Sequence, residues 1–587
     1  MGLTIAVFLP ALLGGFVGWD DVSLLVSHTG YRGLDPSHLA WMASNVTLGH
    51  YVPVVWLSFA VDYLLWGLNP VGYHLTNVVL HGVNAGLVFV LARTLIQRAN
   101  GLTGTALDVG SATAALAFAL HPLRVEAVAW VIGRRDLLCA LWTLCALLAY
   151  LRAAQTSGRP RAAWLAGSWV AYGLALLSKA IVMTLPVGLL LLDVYPLRRL
   201  PADVRRWTAR ETRGRWPEKL PYVILAAGGA AVSYWGQARG SGVILLDRET
   251  WLGVVWASLW LHVQKSLAPV GLSPLYELPA RIDPWTGRYA VAGLAVTGIT
   301  LGLVALRRRW PAGLAAWIWY VALLAPTCAL AHAGPQVTAD RYSYLPTVGG
   351  AIVLGGGVGL ALRSRRWTLV ALAGLGLVGL VALTEPQIAV WRDKERLWRH
   401  AVHVTPDCGT CHQNLGVWLQ EEERFAEALP EFERALAIRP EHTAMHLNVG
   451  LALAGLGRLD EAITHYEAVL QQSPGNITVR SNVAAALVRL GRRREAVAEL
   501  RLGLRFNGPE EAAAYFRNDA AANPTRPIPR LGLALVFLAR GDRPSALEQI
   551  EILRRLDPEL AAVVTETGAS AATLRAPDGG GTSRRIG

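Results

Sequence analysis

The sequence predicts an all-α protein in two parts: a polytopic transmembrane helical domain of about 11 spans, followed by an α-solenoid of short helical repeats. Three observations predict it. Of the 587 residues, 53% are hydrophobic and only 17% are charged, whereas a soluble domain carries nearer a quarter. The apolar residues are gathered into long Leu/Val/Ala/Gly runs up to Leu383, and the sequence beyond is polar and helical in pattern. In that second part Pro406, Pro440 and Pro474 stand 34 residues apart, a period that marks stacked helix pairs.

A membrane-crossing helix needs roughly 17–25 apolar residues. Such runs fall near residues 3–18, 77–95, 111–128, 136–152, 163–178, 180–195, 220–236, 289–306, 311–328, 345–362 and 367–384. Positive charge stays on the cytoplasmic side of membrane proteins. That places the loop 198–219 inside, with its Arg198, Arg199, Arg205, Arg206, Arg210, Arg213, Arg215 and Lys219. The Arg clusters at 152–161, 307–309 and 363–366 agree, provided that residues 251–267 do not span. Their Trp251, Trp256, Trp260, His262 and Lys265 suit an interfacial or re-entrant helix. The first run reads as a retained span, because no small-residue cleavage site followed by a soluble domain is seen. The N-terminus is then cytoplasmic, and the repeats lie on the outer, periplasmic side of the inner (plasma) membrane.

The formal charge of +13 belongs to these loops and carries no nucleic-acid signal. Arg far outnumbers Lys, which occurs only at 179, 219, 265 and 394, a bias that fits a GC-rich bacterial coding sequence. Five Cys in a chain of this length make no disulfide framework.

The period of the second part is carried by several positions. Asn414, Asn448 and Asn482 keep it, as do Ala428, Ala462 and Ala496, while Gly416, Gly450 and Ala484 mark places where two helices approach closely. This is the tetratricopeptide pattern, whose superhelix presents a concave face to peptides or proteins. The boundaries expected are a membrane domain over 1–385, a linker helix over 386–405, three repeats over 406–510, a diverged fourth over 511–560 after an insertion at 507–523, and a disordered tail over 561–587. Cys408-Gly409-Thr410-Cys411-His412 matches the haem c attachment pattern. Its setting inside a repeat favours packing over haem or a local disulfide.

Polar residues that hydrophobicity cannot explain gather on one side of this topology. Directly after the first run come Gly18, Trp19, Asp20 and Asp21; adjacent carboxylates at a membrane surface raise each other's pKa, which suits one of them to act as a base. On the same face fall His50, then His74, Asn77 and His81 at helical spacing, and the run from His121 through Arg124 and Glu126 to Trp130. Gly133-Arg134-Arg135-Asp136, Ser178-Lys179 and Asp340-Arg341-Tyr342-Ser343-Tyr344-Leu345-Pro346 complete the set. Internal pairing, for instance of Glu126 with Arg134, is the structural alternative. Arg beside Tyr at a membrane surface suits a lipid phosphate.

In order and in kind, these segments together with the terminal repeats resemble the transmembrane and tetratricopeptide-repeat O-mannosyltransferases, a family of the membrane-integral glycosyltransferase clan. The resemblance implies transfer of a mannose-like sugar, with inversion, from a polyprenyl-phosphate donor to an acceptor hydroxyl on protein at the outer face. It implies a base at Asp20 or Asp21, more often the first of the pair, with Glu126 as a second carboxylate near the sugar. Arg341, with Arg134 and Lys179 behind it, would hold the donor phosphate, and His50, His74 and His121 would hydrogen-bond the sugar. The lipid-linked sugar would be the cosubstrate with no further cofactor, and no metal is called for where Arg neutralises a single phosphate. Partners expected are the donor, membrane lipids and a protein or peptide acceptor bound by the repeats. A non-catalytic scaffold or a transporter of lipid-linked sugar are the alternatives, and neither requires the polar residues to share one face.

Overall fold

The computed structural model describes residues 1–239, 244–279, 281–328, 331–332, 334, 336–440 and 442–570. The chain divides into two units, Met1–Cys408 and Gly409–Gly587.

Each apolar run of the first unit is helical over most of its length, but the runs differ in reach. Among the described residues five helices are long and apolar enough to cross a membrane: Pro70–Asn100, Val131–Ala153, Gly287–Arg308, Pro311–Cys328 and Trp367–Val390. Gly104–Ala119 and Pro122–Ala129 form a further crossing only as a pair bent by 56°. Gly2–Leu13, Pro53–Trp66, Ala180–Val194 and Val348–Arg363 are shorter apolar helices. The count of full-length spans is therefore lower than the run count. The cause is local: Pro122, Lys179–Ala180 and the 340–346 loop interrupt helices where polar side chains converge. Residues 251–267 form part of the helix Arg248–Leu267, which is not among the five.

Two close helix contacts and a short sheet place the loop that carries Arg341. A Cβ on Gly110 would lie 2.6 Å from the Gly355 carbonyl, and one on Gly359 would lie 2.7 Å from that of Ala106. Small residues four apart thus let Val348–Arg363 press backbone to backbone on Gly104–Ala119, as in small-xxx-small membrane packing. On the other side of the loop, Tyr276–Glu277 pairs antiparallel with Gln336–Thr338. At the arginine-rich loop, Asp193 accepts from Tyr150, Arg199 and Lys219, and Glu218 accepts from Arg199 and Arg161. Five charges enter low dielectric there only because each finds a partner.

The second unit is built of helix pairs: Gly409–Glu421 with Phe425–Ile438, Thr443–Gly455 with Leu459–Gln472, and Ile477–Arg489 with the start of Arg493–Ala522. Aromatic side chains fill the glycine notches. A Cβ on Gly416 would lie 2.6 Å from the Phe432 ring, and one on Gly450 would lie 2.5 Å from that of Tyr466. The expected insertion is itself helical: Gly508, at φ 72, kinks Arg493–Ala522 into two helices. Phe516 on the second of these faces Gly532 as Phe432 faces Gly416. Pro527–Arg540 and Arg543–Leu556 supply the fourth pair. Two expectations are corrected. Residues 561–570, read as disordered, belong to the helix Pro558–Ser570, while 571–587 lie outside the described residues. Cys408 and Cys411, read as packing residues, are joined in a disulfide.

Gly450→Val pushes a branched side chain into the ring of Tyr466. Overpacking of this kind costs about 1–3 kcal/mol, so the thermal unfolding midpoint of the purified full chain, followed by circular dichroism, is expected to fall. An unchanged midpoint would contradict the close approach.

Candidate active site

The 3₁₀ turn Leu9–Leu13 ends at Gly14, whose backbone turns extended (φ −78, ψ 150). The chain then runs across the end of the bundle as Gly15 to Asp20. Three contacts hold it there. His74 Nε2 lies 3.3 Å from the Gly15 carbonyl, the Gly15 N–H donates to Arg392 O at 3.0 Å, and Trp19 stacks on Trp398 with ring centroids 4.8 Å apart. A single π-helical turn, Val22–Val26, follows; such turns recur at functional sites.

The two aspartates are parted by this geometry. Asp21 is fully buried and its Oδ2 accepts from the Val17 N–H at 2.9 Å. Burial raises its pKa well above the carboxylate range, and the neighbouring Asp20 charge adds to this. Asp20 instead lines a cavity of about 770 Å³, together with His50, Arg135, Lys179, Arg341 and Tyr342. Its carboxylate makes no hydrogen bond among the described residues. Burial raises its pKa, opposed by the charges of Arg135 and Arg341.

The cations are aimed by buried carboxylates. Glu126 Oε2 accepts from the Arg341 backbone N–H at 2.7 Å, and Oε1 accepts from the Arg341 guanidinium. Lys179 Nζ donates to Asp136 at 2.6 Å and lies 5.1 Å from the Tyr342 ring. Arg135, on the first turn of Arg134–Ala153, has a buried Nε with no partner among the described residues. A Cβ on Gly133 would strike the Ala127 backbone, so only glycine lets the chain fold back tightly enough to begin that helix at the cavity. The helix N-terminus adds its own partial positive charge. His50 is exposed toward the cavity yet enclosed by protein. Burial first, then Arg135, Lys179 and Arg341, push its pKa down to about 3, so the ring is neutral near pH 7. Gly173, Leu176, Ile224, Leu225, Gly228 and Val232 form an apolar wall of the same cavity.

Five expected site residues do not reach this cavity: Asp21, turned inward as described, and Arg134, His74, His121 and Glu126. Arg134 is fully buried: it donates to Asp62 Oδ2 at 2.6 Å, Ser58 at 2.8 Å and Tyr73 O at 2.8 Å, and to the Asn77 side chain. It therefore pairs with Asp62 rather than with Glu126, and has no free face for a phosphate. His74 holds the Gly15 turn, while His121 bonds Ser266 O at 3.1 Å and accepts from the Leu123 N–H. Glu126 stands behind Arg341. The residue missed by sequence reasoning is Arg135. Its only sequence signal is its place one step along the helix from a neighbour that turns inward. The other motif residues pin the loop: Ser343 accepts from Arg124 at 2.7 Å, Tyr344 meets His81 at 2.7 Å and Asn84 at 3.2 Å, and Tyr276 donates to Asp340 at 2.9 Å. Burial, with the nearby Glu126 charge, raises the Asp340 pKa.

Fold and cavity together define a class: a polytopic helical membrane domain, with a basic and acidic cavity at one end, joined to tetratricopeptide repeats. The tetratricopeptide repeat family matches residues 418–477 and 453–508. The chain is similar to Protein O-mannosyl-transferase TMTC4 of Mus musculus, at 27% identity over 70% of this chain and 62% of the mouse protein. It is also similar to Protein O-mannosyl-transferase Tmtc3 of Drosophila melanogaster, at 25% identity over 66% of this chain and 48% of the fly protein. These proteins are homologues of the chain, in line with the resemblance carried by the loop motifs, and the matched region is about half to two-thirds of their length. Among solved structures, "YrrB: a TPR protein with an unusual peptide-binding site" aligns with 30% of this chain and 82% of its own, at 16% identity and a TM-score of 0.20.

Arg134→Ala leaves Asp62 buried without its partner, a loss of about 3–5 kcal/mol. The variant is expected to unfold at lower temperature in detergent, with Arg134→Met/Asp62→Leu recovering most of the difference. If Arg134→Ala unfolded like the parent protein, the structural role would be wrong.

Proposed function

We propose that this chain transfers a mannose-like sugar from a polyprenyl-phosphate donor to an acceptor hydroxyl, with Asp20 as the general base. The carrying observation is that Asp20, His50, Arg135, Lys179 and Arg341 face one cavity whose opposite wall is apolar. An amphiphile with an anionic head fits that division, its phosphate among the three cations and its chain along the wall. The homologues' names support the sugar and point to protein as acceptor.

Asp20 takes the proton of the acceptor hydroxyl as its oxygen attacks the anomeric carbon. The bond from that carbon to the phosphate oxygen breaks on the opposite side, so the configuration inverts and the electron pair leaves with the phosphate. Arg341, Arg135 and Lys179 steady that charge without reorganising, since Glu126 and Asp136 already hold two of them in place. Neutral His50 can both donate to and accept from sugar hydroxyls. The positive-inside rule applied to the arginine-rich loops supports a cavity that faces the outer side of the membrane, and the concave face of such repeats supports a protein or peptide acceptor.

In membranes supplied with radiolabelled polyprenyl-phosphate mannose, Asp20→Asn is expected to slow release of polyprenyl phosphate by about 10²–10⁴-fold. Asp21→Asn, which keeps the shape of a buried side chain lying outside the cavity, is expected to retain most of the activity. Undiminished turnover in Asp20→Asn would end the assignment of the base.

The rate should also follow the charge state of Asp20. Burial disfavours its carboxylate, so activity falls as pH drops through a pKa above the ordinary range for Asp. Removing the Arg135 charge raises that pKa further. The acid limb of kcat/KM in Arg135→Ala is expected to move to higher pH, and a limb that stayed in place or moved to lower pH would contradict the contact.

A further inference from the structure

A second cavity, of about 540 Å³, lies toward the other end of the same bundle. The helix Pro70–Asn100 shows the separation. It meets the Arg341 loop through His81 and Asn84, which bond Tyr344, but it lines this cavity with Leu91, Leu95, Ile96, Ala99 and Asn100. At 1.5 Å per residue, Asn84 and Asn100 are roughly 24 Å apart along the axis. The remaining walls come from Leu185–Val194, Pro311–Leu324 and Val348–Arg363, and they are apolar except at one rim.

That rim carries Arg198, Arg309 and Trp310. Arg198 and Arg309 are exposed, and neither has an ion pair or side-chain hydrogen bond among the described residues. The contrast with Arg199 is informative: one residue along, it is spent on Asp193 and Glu218. Both free arginines belong to the loops whose charge marks the cytoplasmic side, and an exposed Trp at such a rim sits at headgroup depth. The volume falls within the roughly 300–1,000 Å³ of small-ligand sites. An apolar slot with two unpaired guanidinium groups at its mouth is complementary to one kind of molecule, a lipid with an anionic head.

We infer that this cavity binds an anionic glycerophospholipid, its phosphate at Arg198 and Arg309 and an acyl chain between Ile96, Leu191 and Ile352. The site is separate from the proposed catalytic cavity, and the inference does not rest on the activity.

The test is lipid binding to the purified full chain in detergent, read by native mass spectrometry against phosphatidylglycerol, phosphatidylcholine and polyprenyl phosphate. The parent protein is expected to retain phosphatidylglycerol over phosphatidylcholine, and Arg198→Ala and Arg309→Ala to weaken it by about fivefold each. Gly357 lines the cavity and has open space where a Cβ would stand. Gly357→Leu is therefore expected to fold normally and to weaken both phospholipids alike. Equal retention of phosphatidylglycerol and phosphatidylcholine, or arginine variants that bind like the parent, would overturn the inference. So would polyprenyl phosphate proving the preferred ligand and being lost in the same variants, because the cavity would then belong to the donor.

Discussion

The carboxylate of Glu126 is 3% exposed, in an environment where a lone charge would be neutralised or expelled. Its partner is Arg341, which supplies both its backbone N–H and its guanidinium. A backbone donor is the important part, because it fixes the position of the chain as well as the direction of a side chain. The bent helix pair and the Arg341 loop are thereby locked together, and the cation that lines the cavity is held without having to be ordered by a ligand. Ser343 on Arg124 and Tyr344 on His81 and Asn84 extend the same lock. Removal of Glu126 would free the loop and strip Arg341 of its hydrogen-bonded counter-ion, two faults from one change.

The glycine contacts explain how the bundle tolerates such a loop. The helix restarting after Pro346 has its first backbone N–H groups bonded within the turn, Thr347 to Ser343 O and Val348 to Leu345 O. Gly355 and Gly359 against Gly110 and Ala106 give it a close backbone contact within three turns. The site is therefore rigid on both sides of Arg341, one held by the ion pair and one by packing. Asp20 is held more lightly, by His74, the Arg392 carbonyl and the Trp19–Trp398 stack. Trp398 belongs to the helix Lys394–Val404, so the stack ties the Asp20 segment to a helix far along the chain.

The repeats were legible because each pair solves the same packing problem: a glycine under an aromatic ring must recur at one period, and Gly416 and Gly450 do. The apolar runs were legible for a similar reason, since lipid selects composition over a whole span. Which runs form full spans was not legible, because a helix interrupted by Pro122 or Lys179 keeps the composition of an unbroken one. Nor was the apolar wall. Ile224, Leu225, Gly228 and Val232 on Leu220–Arg239 face the cavity, yet nothing in their chemistry separates them from residues that face lipid.

The candidate site shows the sharper limit. Asp20 with Asp21, and Arg134 with Arg135, are pairs of like residues adjacent in the chain, and composition cannot rank the members of either. Geometry can. Successive side chains on a helix point about 100° apart, so neighbours do not share a face; a helix that turns one arginine to a buried aspartate turns the next elsewhere. Arg134 goes to Asp62 and Arg135 is left for the cavity. Around the Trp19 turn Asp21 goes inward to the Val17 N–H, and Asp20 is left beside Arg135 and Arg341. In both pairs the inward member is bonded within the protein, while the outward member lines the cavity. The fold thus resolves each doubled charge into one buried member and one that faces the cavity.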